Sequence, residues 1–164
     1  MTNPPAPDPS LRDAGTALYT ARVENRGGTS GRVLVRDAGS VELGSPEPGA
    51  SAETILPTGG PRPTASGFNP EQFLAMAWST CLGETLRVVL AEHGLDRESS
   101  VDVEVELHRD PAGGFRFVPR ALVHIDSLGP DRARELAAAA HARCPVSKLL
   151  DGQVAAEVQL VVEH

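Results

Sequence analysis

Residues Asn69-Pro70-Glu71-Gln72-Phe73-Leu74-Ala75-Met76-Ala77-Trp78-Ser79-Thr80-Cys81-Leu82-Gly83 decide the fold. The stretch opens as a helix: Asn69 is a capping residue, Pro70 falls in the first turn where no amide donor is needed, and Gln72 completes a capping box. The pattern predicts a helix running to about Glu92 and stopped at Gly94, a residue that accepts the left-handed conformation of helix ends. Between Gln72 and Gly83 there is no charged side chain on any face. A helix apolar all round must be buried all round. A chain of 164 residues has few elements left to surround it. A second subunit is therefore expected to form part of the wall, in an intimate homodimer. The simpler alternative is that the chain's own sheet covers the helix.

Working outward, Leu18 to Asn25 and Gly31 to Arg36 read as short strands joined by the turn Arg26-Gly27-Gly28-Thr29-Ser30-Gly31. A third short strand is expected at Ser40 to Leu43. From Gly44 to Phe68 the chain is rich in Gly, Pro, Ser, Thr and Ala without periodicity, which suits a mobile segment or a functional flap. Beyond the helix, Val101, Val103, Val105 and Leu107 alternate with Asp102, Glu104, Glu106 and His108, the pattern of a strand with one buried and one solvated face. Asp110-Pro111-Ala112-Gly113-Gly114 is a turn, and Phe115 to Ile125 pairs back as a hairpin. Gly129-Pro130-Asp131 opens a helix through about Ala142, with an acidic residue in its first turn. Pro145 to Leu150 is a short helix stopped by Gly152, and Val154 to Val162 a closing strand. The class is α+β.

With 40% apolar residues the chain is long enough for one domain with a real core. A net charge of −7 and the lack of a basic run argue against nucleic acid or an anionic membrane as partner. No apolar stretch approaches the length of a membrane span, roughly 20 residues. The start, Met1-Thr2-Asn3-Pro4-Pro5-Ala6-Pro7-Asp8-Pro9, has neither the basic nor the apolar region of a secretory signal. Residues 1–17 read as a disordered, proline-rich tail and 18–164 as a single domain. The expected compartment is the cytoplasm, where cysteines stay reduced and reactive rather than forming a permanent staple.

Cys81, inside the apolar helix, and Cys144, in Ala142-Arg143-Cys144-Pro145-Val146-Ser147-Lys148, are the only cysteines. One buried thiol and one at a helix junction suit a redox couple better than a metal site. Zinc sites draw on close-spaced pairs of ligands, and no CxxC or HxxxH pair occurs. Cys144 sits where helix amides and the dipole lower a thiol pKa, whereas apolar burial in mid-helix raises that of Cys81. Cys81 therefore calls for a nearby cation.

Leu18-Tyr19-Thr20-Ala21, Gly27-Gly28, Gly31-Arg32-Val33, Asn69-Pro70-Glu71-Gln72-Phe73, the Cys81 context and Cys144-Pro145-Val146-Ser147 together resemble the OsmC/Ohr family, and within it the branch of organic hydroperoxide resistance proteins. The resemblance runs from about Leu18 to the C-terminus. It implies an interlocked homodimer, with antiparallel sheets wrapped around long central helices and active sites at the subunit interface. It also implies a thiol-dependent peroxidase that reduces organic hydroperoxides, with Cys81 as the peroxidatic and Cys144 as the resolving cysteine. In such a cycle a sulfenic acid on the first thiol condenses with the second to a disulfide, which prevents further oxidation.

In the family an arginine follows the Gly-Gly of the first turn; here that position is Thr29. Arg26 and Arg32 flank the turn and are the candidates to replace it, with Arg22 as a further one. Glu71 matches the glutamate that pairs with that arginine. Ten residues of helix place it about 15 Å from Cys81 of its own chain, so it is expected to serve the partner's site. Gln72 and Ser147 read as caps, Glu84 as a structural or interface residue, and His141 as a weak candidate base. Phe73, Met76 and Trp78 belong to the core or the substrate pocket. No metal, haem or flavin is expected. By resemblance the reductant is a dithiol, a lipoylated protein being the expected form. The alternative is a non-peroxidatic binding or redox-sensing module that has lost the arginine. A hydrolase finds no support, since there is no GxSxG elbow.

Overall fold

Helix α1, Pro70–Glu92, organises the molecule. Its start is closed on both sides: Gln72 N donates to Asn69 Oδ1 and Asn69 N to Gln72 Oε1, each at 2.9 Å. Phe68 and Phe73, just outside and just inside the cap, meet edge-to-face at 5.7 Å, a hydrophobic staple that sets the entry angle of the chain. Gly94, at φ +67°, ends the helix. The computed structural model describes residues 16–36, 56–60 and 67–152.

The remaining elements are β1, Tyr19–Arg26; β2, Arg32–Arg36; β3, Ser99–Arg109; β4, Phe115–Ile125; α2, Pro130–Arg143; and α3, Pro145–Leu150. The strands form one antiparallel sheet in the order β2-β1-β3-β4. The fold is α+β. Because side chains alternate along a strand, Ala21 and Val23 of β1 and Val101, Val103 and Val105 of β3 line one face and are fully buried. Leu82, Leu86, Val89 and Leu90 of α1 close over that face, and Leu136 and Ala140 of α2 complete the core. Each large apolar side chain among them contributes about 1.5–3 kcal/mol by leaving water.

The opposite face of the sheet carries ion pairs in cross-strand register. Glu24 holds Arg26, and Arg36 at 2.6 Å; Glu104 holds Arg120, and Arg22 at 3.2 Å. The alternation expected for β3 fails at its end: His108 is buried on the outer face beside Glu106, with Nε2 and Oε2 2.7 Å apart, and Leu107 is only half-buried.

The segment before α1 has more structure than its composition implied, since Thr58 and Phe68 form a parallel bridge. Gly59 N donates to Phe68 O and Phe68 N to Pro57 O. The proline-rich tail apart from residues 16–17, the strand expected at Ser40–Leu43, most of the Gly44–Phe68 segment and the strand expected at Val154–Val162 lie outside the described residues.

By length and composition α1 would pass for a membrane span, contrary to the sequence expectation. Its position between the sheet and α2 identifies it instead as the core helix. Nor does this chain cover it all round. Ala77 and Val88 are exposed, and Phe73, Met76, Thr80 and Cys81 are half-exposed.

Candidate active site

Cys81 and Cys144 are 63 residues apart in sequence, and their sulfurs are 3.4 Å apart. Both are free thiols. Helix α1 presents Cys81 on its partly uncovered face. Cys144 ends α2 and caps α3, so packing of α2 and α3 on α1 brings the second sulfur to the first. To form a disulfide the sulfurs must close from this contact to bonding distance, about 2 Å.

The two thiols differ in access and in acidity. Cys144 is fully buried, whereas Cys81 is half-exposed and opens on a cleft of about 620 Å³ lined by Thr29, Met76, Ala77, Thr80, Glu84 and Pro145. Burial pushes the Cys81 thiol above its ordinary pKa, and its contact with Cys144 adds to the rise, against an opposing backbone hydrogen bond from Val146. Burial also acts on Cys144, but the nearby Ser147 amide and hydroxyl, the Cys81 thiol and the Val146 amide outweigh it and bring that thiol below its ordinary value. The N-terminal amides of α3 act on Cys144 as its place in the sequence implied.

Neither Arg26 nor Arg32 lines this cleft. In the β1–β2 register they stand opposite one another, on the sheet face turned away from α1, because the buried Val23 and Asn25 fix the inward positions of β1. Arg26 is bound to Glu24 and Arg22 to Glu104. Arg32 faces a separate cavity of about 650 Å³ that also includes Arg26, Arg87 and Arg97. Thr29 does reach the cleft, on the single 3-10 turn Gly28–Ser30. Its amide donates to Glu84 Oε2 at 3.0 Å, and Arg87 binds the same carboxylate at 2.8 Å. These bonds, the Thr29 amide first, hold the Glu84 carboxyl below its usual pKa.

Glu71 is buried near the start of α1, and its Oε2 has no hydrogen-bond partner among the described residues. His141 is exposed and faces Asp151 at 3.6 Å. Gln72 acts as a cap, as expected. Ser147 does not cap α3: its Oγ accepts the Trp78 indole N–H at 2.9 Å, inside the core. Among the described residues, no three His, Cys, Asp or Glu side chains converge as metal ligands would.

One residue that positions the site was not picked out from the sequence. Asn25 is buried; its Oδ1 accepts from Gly28 N at 3.0 Å, and its Nδ2 donates to Gly28 O and to Thr80 Oγ1. It ties the Thr29 turn to α1 beside Cys81. The available signal was Gly83, a glycine in mid-helix, which usually marks a close approach. A Cβ there would lie 2.8 Å from Asn25 Oδ1.

Comparison with known proteins places this arrangement. Residues 63–159 match the family of OsmC-like proteins. The chain belongs to that family. It is 32% identical to the organic hydroperoxide resistance protein OhrB of Bacillus subtilis over 145 residues, spanning 88% of this chain and 98% of that protein. It is also 32% identical over 135 residues to an organic hydroperoxide resistance protein-like chain of Mycoplasma pneumoniae, spanning 81% of this chain and 87% of that one. Among solved structures, Bacillus subtilis OhrB aligns with a TM-score of 0.52 over 83% of this chain and 93% of its own. An organic hydroperoxide resistance protein OsmC from Legionella pneumophila, 28% identical, aligns with a TM-score of 0.56 over 84% and 93%. The OsmC/Ohr fold and a family-level part in resistance to organic peroxides follow from these likenesses.

Proposed function

We propose that this OsmC-like chain is a Cys-based peroxidase that reduces organic hydroperoxides to alcohols, with Cys81 as the peroxidatic and Cys144 as the resolving cysteine. The observation that carries the reading is the half-exposed Cys81 lining a cleft, its sulfur 3.4 Å from a fully buried second thiol. The Cys81 thiolate attacks the distal peroxide oxygen, the O–O bond breaks, and the departing alkoxide takes a proton to become the alcohol. Cys81 is left as a sulfenic acid. The Cys144 thiolate, more acidic and already in contact, attacks that sulfur, forms the disulfide and releases hydroxide, which is protonated to water. A dithiol, with a lipoylated protein as the physiological form, returns the pair to thiols. Met76 and Ala77 in the cleft suit an organic group better than hydrogen peroxide.

The working unit in this reading is a homodimer in the cytoplasm. The uncovered side of α1, with Phe73, Ala77, Cys81 and Val88, is the face for the second copy. Glu71, with an unsatisfied buried carboxylate oxygen, is assigned to the partner's site. Arg26 or Arg32 takes part only if brought to Cys81 across the dimer, since neither reaches it within the chain.

A second reading has specific support. Thr29 stands in place of an arginine, and the charged side chain lining the cleft is the anionic Glu84. Both leave the Cys81 thiolate without a cation among the described residues, as in a non-peroxidatic binding or redox-sensing module. Stopped-flow oxidation of the reduced protein by cumene hydroperoxide and by hydrogen peroxide separates the two readings, with Cys81→Ser and Cys144→Ser as controls. Fast, Cys81-dependent reaction that prefers cumene hydroperoxide and ends in an intramolecular disulfide supports the peroxidase. Reaction no faster than that of a free thiol leaves the second reading.

A further inference from the structure

The cleft beside Cys81 is walled by uncharged groups, Thr29, Met76, Ala77, Thr80, Thr85 and Pro145, with one exception among the described residues: the carboxylate of Glu84. Glu84 stands three residues after Cys81 on α1. The two side chains therefore share a helix face, with about 5–6 Å between their Cβ atoms. The carboxylate is held in place, since the Thr29 amide donates to its Oε2 at 3.0 Å and Arg87 Nη1 to the same oxygen at 2.8 Å.

Arg87 does not cancel this charge on the side of the cleft. It lines the separate cavity that contains Arg26 and Arg97, and not the one in front of Cys81. The Glu84–Arg87 pair is partly exposed on both sides, and solvent weakens such a pair. Any molecule whose reacting atom touches Cys81 Sγ brings its neighbouring groups within about 8 Å of the carboxylate, the range over which physiological salt leaves charges unscreened. Unit charges at that range change an encounter by a factor of several for each sign.

We propose that Glu84 is a charge filter for the Cys81 cleft: it turns away molecules that carry a negative charge beside the reacting group and admits uncharged and cationic ones. The filter acts on whatever reaches the thiol. Its consequence for substrate rests on the peroxidase reading above. The preferred hydroperoxide then carries an uncharged organic group, and one with a carboxylate a few carbons from the peroxide is disfavoured.

Charged methanethiosulfonates test the filter without peroxidase activity. The Cys81 thiolate attacks the sulfenyl sulfur of the reagent, methanesulfinate leaves with the electron pair of the broken S–S bond, and a mixed disulfide remains. A Cys144→Ser background keeps that disulfide from being resolved. The trimethylammonium-ethyl and sulfonato-ethyl reagents are compared, each rate divided by that of the same reagent with β-mercaptoethanol. A change in Cys81 ionisation cancels in the ratio of the two. The cation-to-anion ratio is expected to exceed that of the free thiol on the order of tenfold. Glu84→Gln, which keeps an acceptor for the Thr29 amide, is expected to lower it several-fold. Asp131→Asn, an equal change of charge at an exposed position outside the cleft, is expected to leave it unchanged. Thr29→Arg, which adds a cation to the same wall, is expected to invert it. With Cys144 intact, stopped-flow oxidation by cumene hydroperoxide is expected to be several-fold faster than by its para-carboxylate, and Glu84→Gln to close the gap.

A ratio equal to that of the free thiol, or one that Glu84→Gln and Asp131→Asn lower alike, would overturn the proposal. If Glu84→Gln does not fold, a Thr29→Arg ratio equal to that of the parent would overturn it equally. Discrimination between the two reagents in a protein inert to both hydroperoxides would keep the charge filter and remove the peroxidase. Rapid oxidation by both hydroperoxides at equal rates would keep the peroxidase and overturn the filter.

Discussion

The backbone amide of Thr29 donates to the Glu84 carboxylate across 3.0 Å, so the first turn delivers an anchored anion, rather than a cation, to the wall of the Cys81 cleft. Thr29→Arg tests the consequence. An opposite charge within about 4–6 Å lowers a thiol pKa by about one to three units. The variant is expected to shift the pH–rate profile of Cys81 alkylation toward acid by at least about one unit and to speed reaction with cumene hydroperoxide. No movement of the profile would show that the turn does not control the thiol.

Exposure, rather than acidity, decides which cysteine meets a reagent. Iodoacetamide should label Cys81 in the native reduced protein and leave Cys144 unmodified until denaturant is added, as peptide mass spectrometry would read. Because the thiolate is the nucleophile and burial raises the Cys81 pKa, labelling should accelerate with pH and reach half its maximum above the ordinary thiol value. Labelling of Cys144 first would contradict the arrangement.

The turn is held by a close contact that a methyl group would break. Gly28 has φ +60°, and a Cβ on it would lie 2.3 Å from Glu84 Oε2 and 2.9 Å from Glu84 Cα. Gly28→Ala should lower the stability by about 1–3 kcal/mol through strain at a left-handed position. It should also expose Cys81 to faster alkylation as the Asn25 bonds to Gly28 are lost. Denaturant melts and labelling rates measure the two effects separately.

Glu24 makes the sheet sensitive to acid. The Arg26 hydrogen bond first, with Arg36, holds its carboxyl below the usual value of 4.5. A group whose pKa is depressed in the folded state stabilises the fold above its unfolded pKa, and loses that contribution as pH falls through its folded one. Stability should therefore decline below about pH 4.5, and Glu24→Gln should flatten that decline while lowering stability at neutral pH. Denaturant melts across the acid range check this, and a Glu24→Gln profile identical to that of the wild type would place the sensitivity elsewhere.

Signals confined to a few neighbouring residues were legible in the chain. Asn69, Pro70 and Gln72 placed the start of α1, Gly94 its end, and Val101 to Val105 the buried face of β3, because capping and periodicity act within one or two turns or along one strand. The end of β3 was not legible: His108 follows the polar period yet is buried, since what covers a side chain depends on residues remote in sequence. The arginines near the first turn show the same limit. Arg26 and Arg32 looked close to the site, but the sheet register turned both to the far face.

Read alone, the chain yields the family through the resemblance of its motifs, and the class of fold, the two thiols and the acidity expected for each through composition, spacing and local dipoles. Packing, by contrast, brings the two sulfurs into contact, turns Cys81 and not Cys144 to the cleft, lines it with Glu84 rather than an arginine, and sets Ser147 against Trp78. Each of these joins residues far apart in the chain, such as Cys81 with Cys144, and Thr29 with Glu84. Such contacts arise when α1, α2, α3 and the sheet bury their apolar faces together, and no local rule of the chain encodes which polar groups that burial brings face to face.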